Sequence, residues 1–598
     1  MGKGHGKIQD KHVELEHLGK SQDVVNSNKD ETMTNEQRGT WAGELDFVLA
    51  CIGFAVGLGN IWRFPYLCYK NGGGAFLVPY MICLLTCGMP VLLLEFGLGQ
   101  YMAKGSVAAW GNIAPAFQGI GIASLVITFL MNIYYIVVLA WTGHYFISSM
   151  SAILPWSHCK NSWNTPRCFA GKEIKTTTNI SSIIGQDNKT VDATVEYWER
   201  GVLRLSGGID EPGQIVWQLA VSLACVWVLV YFCVWRGVRW TGKVVYFTAL
   251  FPYVILTCLI IRGITLDGAA DGLVFYFKPD FSRLGDSQVW IDGATQIFFS
   301  YAIALGAMIT LGSYNKFHNN FFRDCIVISC FNTGTSLYGG VAVFSALGYM
   351  AKQQNMTVGE VAESGPGLVF IAYPKAVSQM PFPQLWAVLF FFMVLLIGLD
   401  SQFVGVEGFL TPIMDMFPRH LYKMKNRILL TGVYCLLNFL LGLSMVTEGG
   451  MYVFQLFDYY SASGLVLLWV CFFEATVISW VFGADRFMDA FEIMIGRRIS
   501  VAFVVCWKII TPIITLGAFL FMLVTFTPLT YNKTYIYPRV AQGLGLCMAL
   551  ISIACIPAVF LYRMVQAQGS LVQRWKHLTT PVLQKHQVHD KWRAHSFS

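Results

Sequence analysis

Twelve long apolar stretches dominate this sequence, near residues 45–68, 75–101, 120–148, 215–234, 243–261, 291–312, 325–350, 385–414, 428–446, 451–481, 502–526 and 540–563. Each is close to or beyond the roughly 20 residues that a helix needs to cross a hydrocarbon core. In lipid every backbone polar group must be satisfied internally, which leaves helices or closed barrels. Barrel strands would alternate over about ten residues, and these runs are far longer and evenly apolar. The fold class expected is an all-α membrane protein with twelve transmembrane helices. Composition agrees: 13% of residues are charged, against about 25% in an ordinary soluble domain.

Residues 1–44 are polar and lack an apolar core followed by a cleavage site, so a cytosolic N-terminal tail is expected. An even number of spans returns the tail 565–598 to the same side, with 45–564 forming the twelve-span membrane domain. The loops carrying Arg236, Arg239 and Lys243, then Arg419, Lys423, Lys425 and Arg427, then Arg486, Arg497 and Arg498 all fall on the cytosolic side, as the positive-inside rule requires. The sequons at Asn179, Asn188, Asn355 and Asn532 all fall outside. Two of them sit in the large loop 151–213 with Cys159 and Cys168, so a Cys159–Cys168 disulfide is expected there, with two free thiols as the alternative. The other fourteen of the 16 cysteines lie in or beside apolar spans and act as small hydrophobes.

The two tails are too short for an ATPase or kinase domain. Gly237-Val-Arg-Trp-Thr-Gly242-Lys243-Val244 lacks the final Ser or Thr of a phosphate loop and sits between spans 4 and 5. No nucleophile–base pair, metalloprotease motif or nucleic-acid signature recurs. An enzyme is not expected, and no organic cofactor is implied.

The informative feature lies inside span 1, where Gly57, Gly59 and Asn60 interrupt the apolar run near its middle. Span 6 repeats the pattern: Phe54-Ala-Val-Gly-Leu-Gly59 aligns with Tyr301-Ala-Ile-Ala-Leu-Gly306. Interrupted spans at corresponding places in two halves point to a transporter site at the repeat interface. Polar residues gather at the same depth: Glu95 in span 2, Asn332 and Ser336 in span 7, and Asp400 and Ser401 in span 8. A carboxylate at such depth requires a partner or a bound cation. Arg63 and Asp458 are expected to form a gate pair above the site.

Four segments, Gly57-Leu-Gly-Asn-Ile-Trp-Arg-Phe-Pro-Tyr66, Asn71-Gly-Gly-Gly74, Gln296-Ile-Phe-Phe-Ser-Tyr301 and Phe457-Asp-Tyr-Tyr-Ser-Ala-Ser463, strongly resemble the neurotransmitter:sodium symporter family. The resemblance runs from Arg38 to about residue 580. It implies inverted repeats, spans 1–5 and 6–10, with broken helices 1 and 6. Within the family the chain resembles the GABA, taurine, betaine and creatine branch, since Gly57 stands where carriers of biogenic amines have Asp. Span 1 and Asp400-Ser-Gln-Phe-Val-Gly-Val-Glu-Gly408 read most like creatine transporters. Met131 and Ala304 depart from that pattern, and Pro528–Tyr535 is closer to taurine transporters.

The resemblance implies a plasma-membrane symporter that takes Na+ and Cl− with a small zwitterion. Creatine comes first, with taurine, GABA or betaine as alternatives. An ion channel is the rival of another class, and homo-oligomers are compatible. One sodium site would use Ala55, Asn60, Ser300 and Asn332, the other Gly53, Val56, Ile397, Asp400 and Ser401. Chloride would meet Tyr80, Gln296, Ser300 and Ser336. The substrate would lie among Phe54, Gly57, Gly59, Met131, Tyr135, Phe299 and Tyr301, with a gap at Gly405 for its cationic end. Tyr135 and Phe299 would form the lid, and Arg38 with Asp415, packed by Trp41, the cytosolic pair.

Overall fold

The computed structural model describes residues 38–170, 191–354, 358, 368–462, 464–531, 535–589 and 592. The four sequon asparagines, Asn179, Asn188, Asn355 and Asn532, lie outside the described residues. Helix occupies every one of the twelve apolar stretches. Among the described residues 10 helices are long and apolar enough to cross a membrane on their own, or 11 when the bent pair Glu44–Ala55 and Gly59–Lys70 counts as one span. The remaining stretch is span 6, divided into Ser287–Ser300 and Ala307–Gly312. The strands described form only two short ladders, Cys168–Phe169 with Val191–Asp192 and Thr530–Tyr531 with Tyr535–Ile536. The protein is an all-α, multi-span membrane protein.

Burial sorts the helices into layers. In span 8 (Pro383–Met416) 78% of an apolar 18-residue stretch is buried, whereas in span 12 (Arg539–Gln566) the share is 22%. Peripheral helices present Leu229, Phe232, Leu436 and Leu440 outward, which suits an apolar solvent rather than water. Spans 1, 3, 6 and 8 meet at the centre.

Both central breaks follow from their residues. Span 1 leaves helical geometry at Val56 (φ −83°, ψ 74°) and resumes at Gly59, a bend of 49°. In span 6 the chain turns through positive φ at Ala302 (50°), Ala304 (66°) and Gly306 (68°). Two of these three are alanines, for which that region is uncommon, so neighbours must hold the segment. Glu95 Oε1 accepts the freed Ala304 N–H at 2.8 Å, and Thr128 Oγ1 donates to Leu305 O at 2.8 Å. The intramembrane carboxylate of span 2 thus serves the unwound backbone of span 6.

Cys159 and Cys168 are disulfide-bonded. The C-terminal segment is more than a tail. Helix Leu571–Thr579 opens on a capping box of Ser570 and Gln573, and Gln587 is buried against Tyr101, whose hydroxyl donates to Gln587 O at 2.6 Å.

Candidate substrate and ion sites

The freed backbone of the two broken spans frames a cavity of about 50 Å³. Its walls come from Phe54, Ala55, Gly57, Gly59 and Asn60 of span 1, Met131 and Tyr135 of span 3 (Pro115–Ser148), Phe299 and Ser300 of span 6, and Ser401 of span 8. Leu58, Ala302, Leu305, Ala462 and Leu467 complete it. None of these last five is evident from sequence, although Ala302 and Leu305 sit in the unwound segment, where any residue can turn inward. Among the described residues no acidic side chain lines the cavity. The Tyr135 hydroxyl is buried without a partner among the described residues, and a Cβ on Gly57 would stand 3.5 Å from it. Glycine at 57 therefore keeps a polar atom open to a ligand.

Two residues expected at this cavity do not reach it. Tyr301 is fully buried, with its hydroxyl donating to Ser329 O at 3.0 Å on span 7 (Phe321–Gln353). Gly405 leaves no gap, because a Cβ there would lie 2.4 Å from Asn132 Oδ1. Asn132 cannot withdraw easily: it donates to Tyr434 Oη at 2.8 Å and accepts from Gln402 at 3.3 Å. The expectation that Gly405 makes room for a cationic end is corrected on this ground. Gly405→Thr is expected to act on packing of span 8 against span 3, costing roughly 1–3 kcal/mol by overpacking. A fall in thermal stability of the purified protein, without a change in the ranking of substrates, is the result to look for.

Beside the cavity lies an amide and hydroxyl cluster. Asn60 Nδ2 donates to Asn332 Oδ1 at 2.7 Å and to Ser336 Oγ at 2.8 Å, and Ser300 Oγ donates to Asn332 Oδ1 at 3.2 Å. All four residues are buried. Ala55 adds the unwound end of the first helix of span 1. Tyr80, next to Ser336 and Thr333, and Gln296 follow on. The Tyr80 hydroxyl and Gln296 Oε1 have no hydrogen-bond partner among the described residues, and Gln296 Nε2 makes only a long contact of 3.4 Å to Gly59 O. Neutral oxygens converging on one side and O–H and N–H groups on the other suit a cation and an anion in adjacent positions.

A second group lies between spans 1, 5 and 8. Gly53, Val56, Ile397 and Asp400 surround a narrow pocket with Thr248. Ser401 Oγ donates to Gly53 O at 3.2 Å. Thr248 donates to Asp400 Oδ1, while Oδ2 is buried and unpartnered among the described residues. Thr248, a neighbour that sequence patterning missed, leaves one carboxylate oxygen free for a cation.

Above the cavity opens a vestibule of about 460 Å³ that shares Leu58, Gly59, Tyr135, Phe299 and Ala462 with it. Arg63 and Asp458 both line the vestibule, but no ion pair joins them among the described residues. Instead the Arg63 guanidinium lies 4.7 Å from the centre of the Phe299 ring. The opposite face is shut. Arg38 meets Asp415 Oδ2 at 3.0 Å, Ser313 Oγ at 2.7 Å and Tyr422 Oη at 3.1 Å, and its guanidinium lies 4.7 Å from the centre of the Tyr314 ring. Trp41 Nε1 donates to Leu311 O at 3.1 Å. Burial opposes the Arg38 charge, but Asp415 with Tyr422 and Tyr314 outweighs it and raises the guanidinium above its ordinary range. This is a conformation open on the Arg63 side and closed on the Arg38 side.

Comparison with known proteins fits this geometry. Residues 38–567 match the model of the sodium:neurotransmitter symporter family. A creatine transporter of Torpedo marmorata is 52% identical over 553 residues, which is 92% of this chain and 89% of the relative. The sodium- and chloride-dependent taurine transporter of Homo sapiens is 54% identical over 545 residues, 91% of this chain and 88% of the relative. The sodium- and chloride-dependent creatine transporter 1 of Homo sapiens is 52% identical over 560 residues, 93% and 88%.

Proposed function

This chain belongs to the sodium:neurotransmitter symporter family, whose members compared above are transporters and not enzymes, and from that premise we propose that it imports a small zwitterion across the plasma membrane, driven by Na+ and Cl−. The observation that carries the reading is the convergence of two unwound spans on one cavity, flanked by the Asn60–Asn332–Ser300 cluster and by the free oxygen of Asp400. Helix breaks at the bilayer midplane offer carbonyls to cations and N–H groups to a substrate's acid group. The Arg38 face is cytosolic in this reading, as are both termini, and the vestibule faces outside.

Sodium would lie at Ala55, Asn60, Ser300 and Asn332, and at Gly53, Val56, Ile397, Asp400 and Ser401. Chloride would lie at Tyr80, Gln296, Ser300 and Ser336. The substrate's acid group would meet the first sodium, the N–H groups near Gly57 and Gly59, and the Tyr135 hydroxyl. Its cationic end would face Phe54, Phe299 and Met131, where no carboxylate among the described residues lines the wall. A guanidinium suits such a place, being planar, weakly hydrated and able to stack on aromatic rings. Creatine is therefore the first substrate proposed. Taurine is the second, favoured by the 54% identity to a taurine transporter.

Uptake of labelled creatine, taurine, GABA and betaine in one cell background, with sodium and chloride replaced in turn, tests the reading. Saturable creatine uptake that stops without sodium is expected. Taurine uptake without creatine uptake would reverse the ranking, and unitary currents without saturable uptake would favour a channel.

Chloride gives a separate expectation. Each of its proposed ligands is an uncharged donor, so at that site the negative charge that partly neutralises sodium comes from the anion and not from a side chain. A fixed carboxylate in its place, by Ser336→Glu, should give uptake that runs about as fast without chloride as with it. Full chloride dependence in a Ser336→Glu protein at the cell surface counts against the assignment.

A further inference from the structure

We propose that Ser500 is a phosphorylation site for an arginine-directed serine kinase of the cytosol. Arg497-Arg498 is the one place in the chain where two Lys or Arg residues are adjacent. In Arg497-Arg498-Ile499-Ser500-Val501 it puts guanidinium groups three and two residues before a serine. A kinase cleft lined with carboxylates reads that spacing on an extended strand, because each guanidinium pairs with a carboxylate in a fixed geometry. The local structure presents it. Helix Ala484–Ile495 ends at Gly496 (φ 72°), span 11 (Val501–Val524) begins at Val501, and the chain between them is not helical. Ile499 is 8% exposed and pins the segment to the protein, while both arginines, Ser500 and Val501 face outward.

Neither arginine is held hard. The Arg498 side chain, 47% exposed, pairs with Asp489 and with Glu492 (Nε to Oε2, 3.0 Å), and the Arg497 guanidinium lies 5.4 Å from the centre of the Phe322 ring. Ion pairs at the surface contribute little to stability, so a kinase's carboxylates can replace these partners. Ser500 is the N-cap of span 11, and its Oγ accepts from Ala502 N at 3.3 Å. That contact uses a lone pair and leaves the hydroxyl proton available. In the transfer the bond from Oγ to the γ-phosphorus of ATP forms, the bond from that phosphorus to the oxygen of the departing ADP breaks, and the hydroxyl proton passes to the kinase's catalytic Asp. The product suits its place: roughly two negative charges arrive at the first turn of a helix, beside two guanidinium groups. The positive-inside rule alone would account for the arginines, and capping alone for the serine. Their spacing within one exposed, non-helical stretch is what neither requires.

The site rests on the transport reading above, because Ser500 must face the cytosol. Its loop lies on the Arg38 face: Phe322, the neighbour of Arg497, is followed by Arg323, which pairs with Glu44 at 2.8 Å. In one arm of the test, the full chain in lipid nanodiscs is incubated with the catalytic subunit of cyclic-AMP-dependent protein kinase and magnesium ATP labelled in its γ-phosphate. About one phosphate per chain should enter the peptide that carries Ser500. Ser500→Asn keeps a good N-cap without the hydroxyl and should leave that peptide unlabelled. Arg497→Gln with Arg498→Gln should slow labelling at least tenfold. In the other arm, cells expressing the chain are treated with an activator of adenylyl cyclase, and the same phosphopeptide is measured on surface protein. Label that persists in the Ser500→Asn peptide, a double arginine change that leaves the rate unaltered, or nanodiscs that take no label at Ser500 each overturn the site, and sodium-driven uptake in the same cells then leaves the transporter reading intact. Label in nanodiscs with none in the activated cells overturns the cytosolic placement of this loop, and the site with it.

Discussion

Asp400→Asn is expected to abolish sodium-driven uptake at ordinary sodium concentrations while leaving the protein folded at the surface. Asp400 is 1% exposed; Oδ1 is held by Thr248, and Oδ2 has no partner among the described residues. An asparagine keeps the oxygen that Thr248 needs and puts an N–H₂ where the free oxygen stood. The fold contact survives, and the cation loses both a ligand and a unit charge. At an effective dielectric near 20, loss of a unit charge a few ångströms away weakens binding by about 2–4 kcal/mol. That is roughly 30- to 1,000-fold in sodium affinity. The check is the sodium dependence of uptake, normalised to surface protein. Half-saturation at the parent's sodium concentration would remove Asp400 from the site. Gly53→Ala should reproduce the defect by a different route, because its Cβ would come within 2.7 Å of the same oxygen.

The contrast between Asp400 and Gly405, five residues apart on one helix, shows what patterning reads and what it does not. A carboxylate in the middle of an apolar span is costly wherever it points, so Asp400 announces a partner from composition alone. A glycine announces only that a Cβ is missing, and whether the space is left for a ligand or filled by a neighbour depends on the helix packed against it. Here Asn132 fills it. Tyr301 fails for the same reason. Its position in the broken segment was legible, but an unwound backbone no longer fixes direction by helical spacing, and the ring went to span 7. The breaks themselves were legible because glycine and asparagine inside a span disfavour helix regardless of context. Alanine carries no such signal, so the positive φ at Ala302 and Ala304 was hidden. The open gate between Arg63 and Asp458 was hidden for another reason: one sequence encodes both ends of a conformational equilibrium, and a structure shows one.

That equilibrium is where the second large effect is expected. Arg38 and Asp415, with side chains 7% and 5% exposed, fasten the beginning of span 1 to the end of span 8. The same guanidinium also donates to the carbonyls of Ala103 and Ser313, and Tyr422 donates to Asp415. Removing one partner of a buried pair costs about 3–5 kcal/mol because the other charge is left unpaired. Arg38→Glu should therefore open the Arg38 face and stall the cycle before the vestibule can reload, and Asp415→Arg should do the same. In the proposed orientation, uptake falls to near background while a cysteine on that face becomes reactive in permeabilised cells. Combining the two reversals should recover more transport than either change alone. Recovery has a ceiling, since the carbonyls of Ala103 and Ser313 would then face a carboxylate and repel it. A double-mutant cycle with an interaction of roughly 0.5–3 kcal/mol is the expected size for groups in contact. Strictly additive losses would mean that Arg38 works through its other partners and that Asp415 is not its partner in the gate.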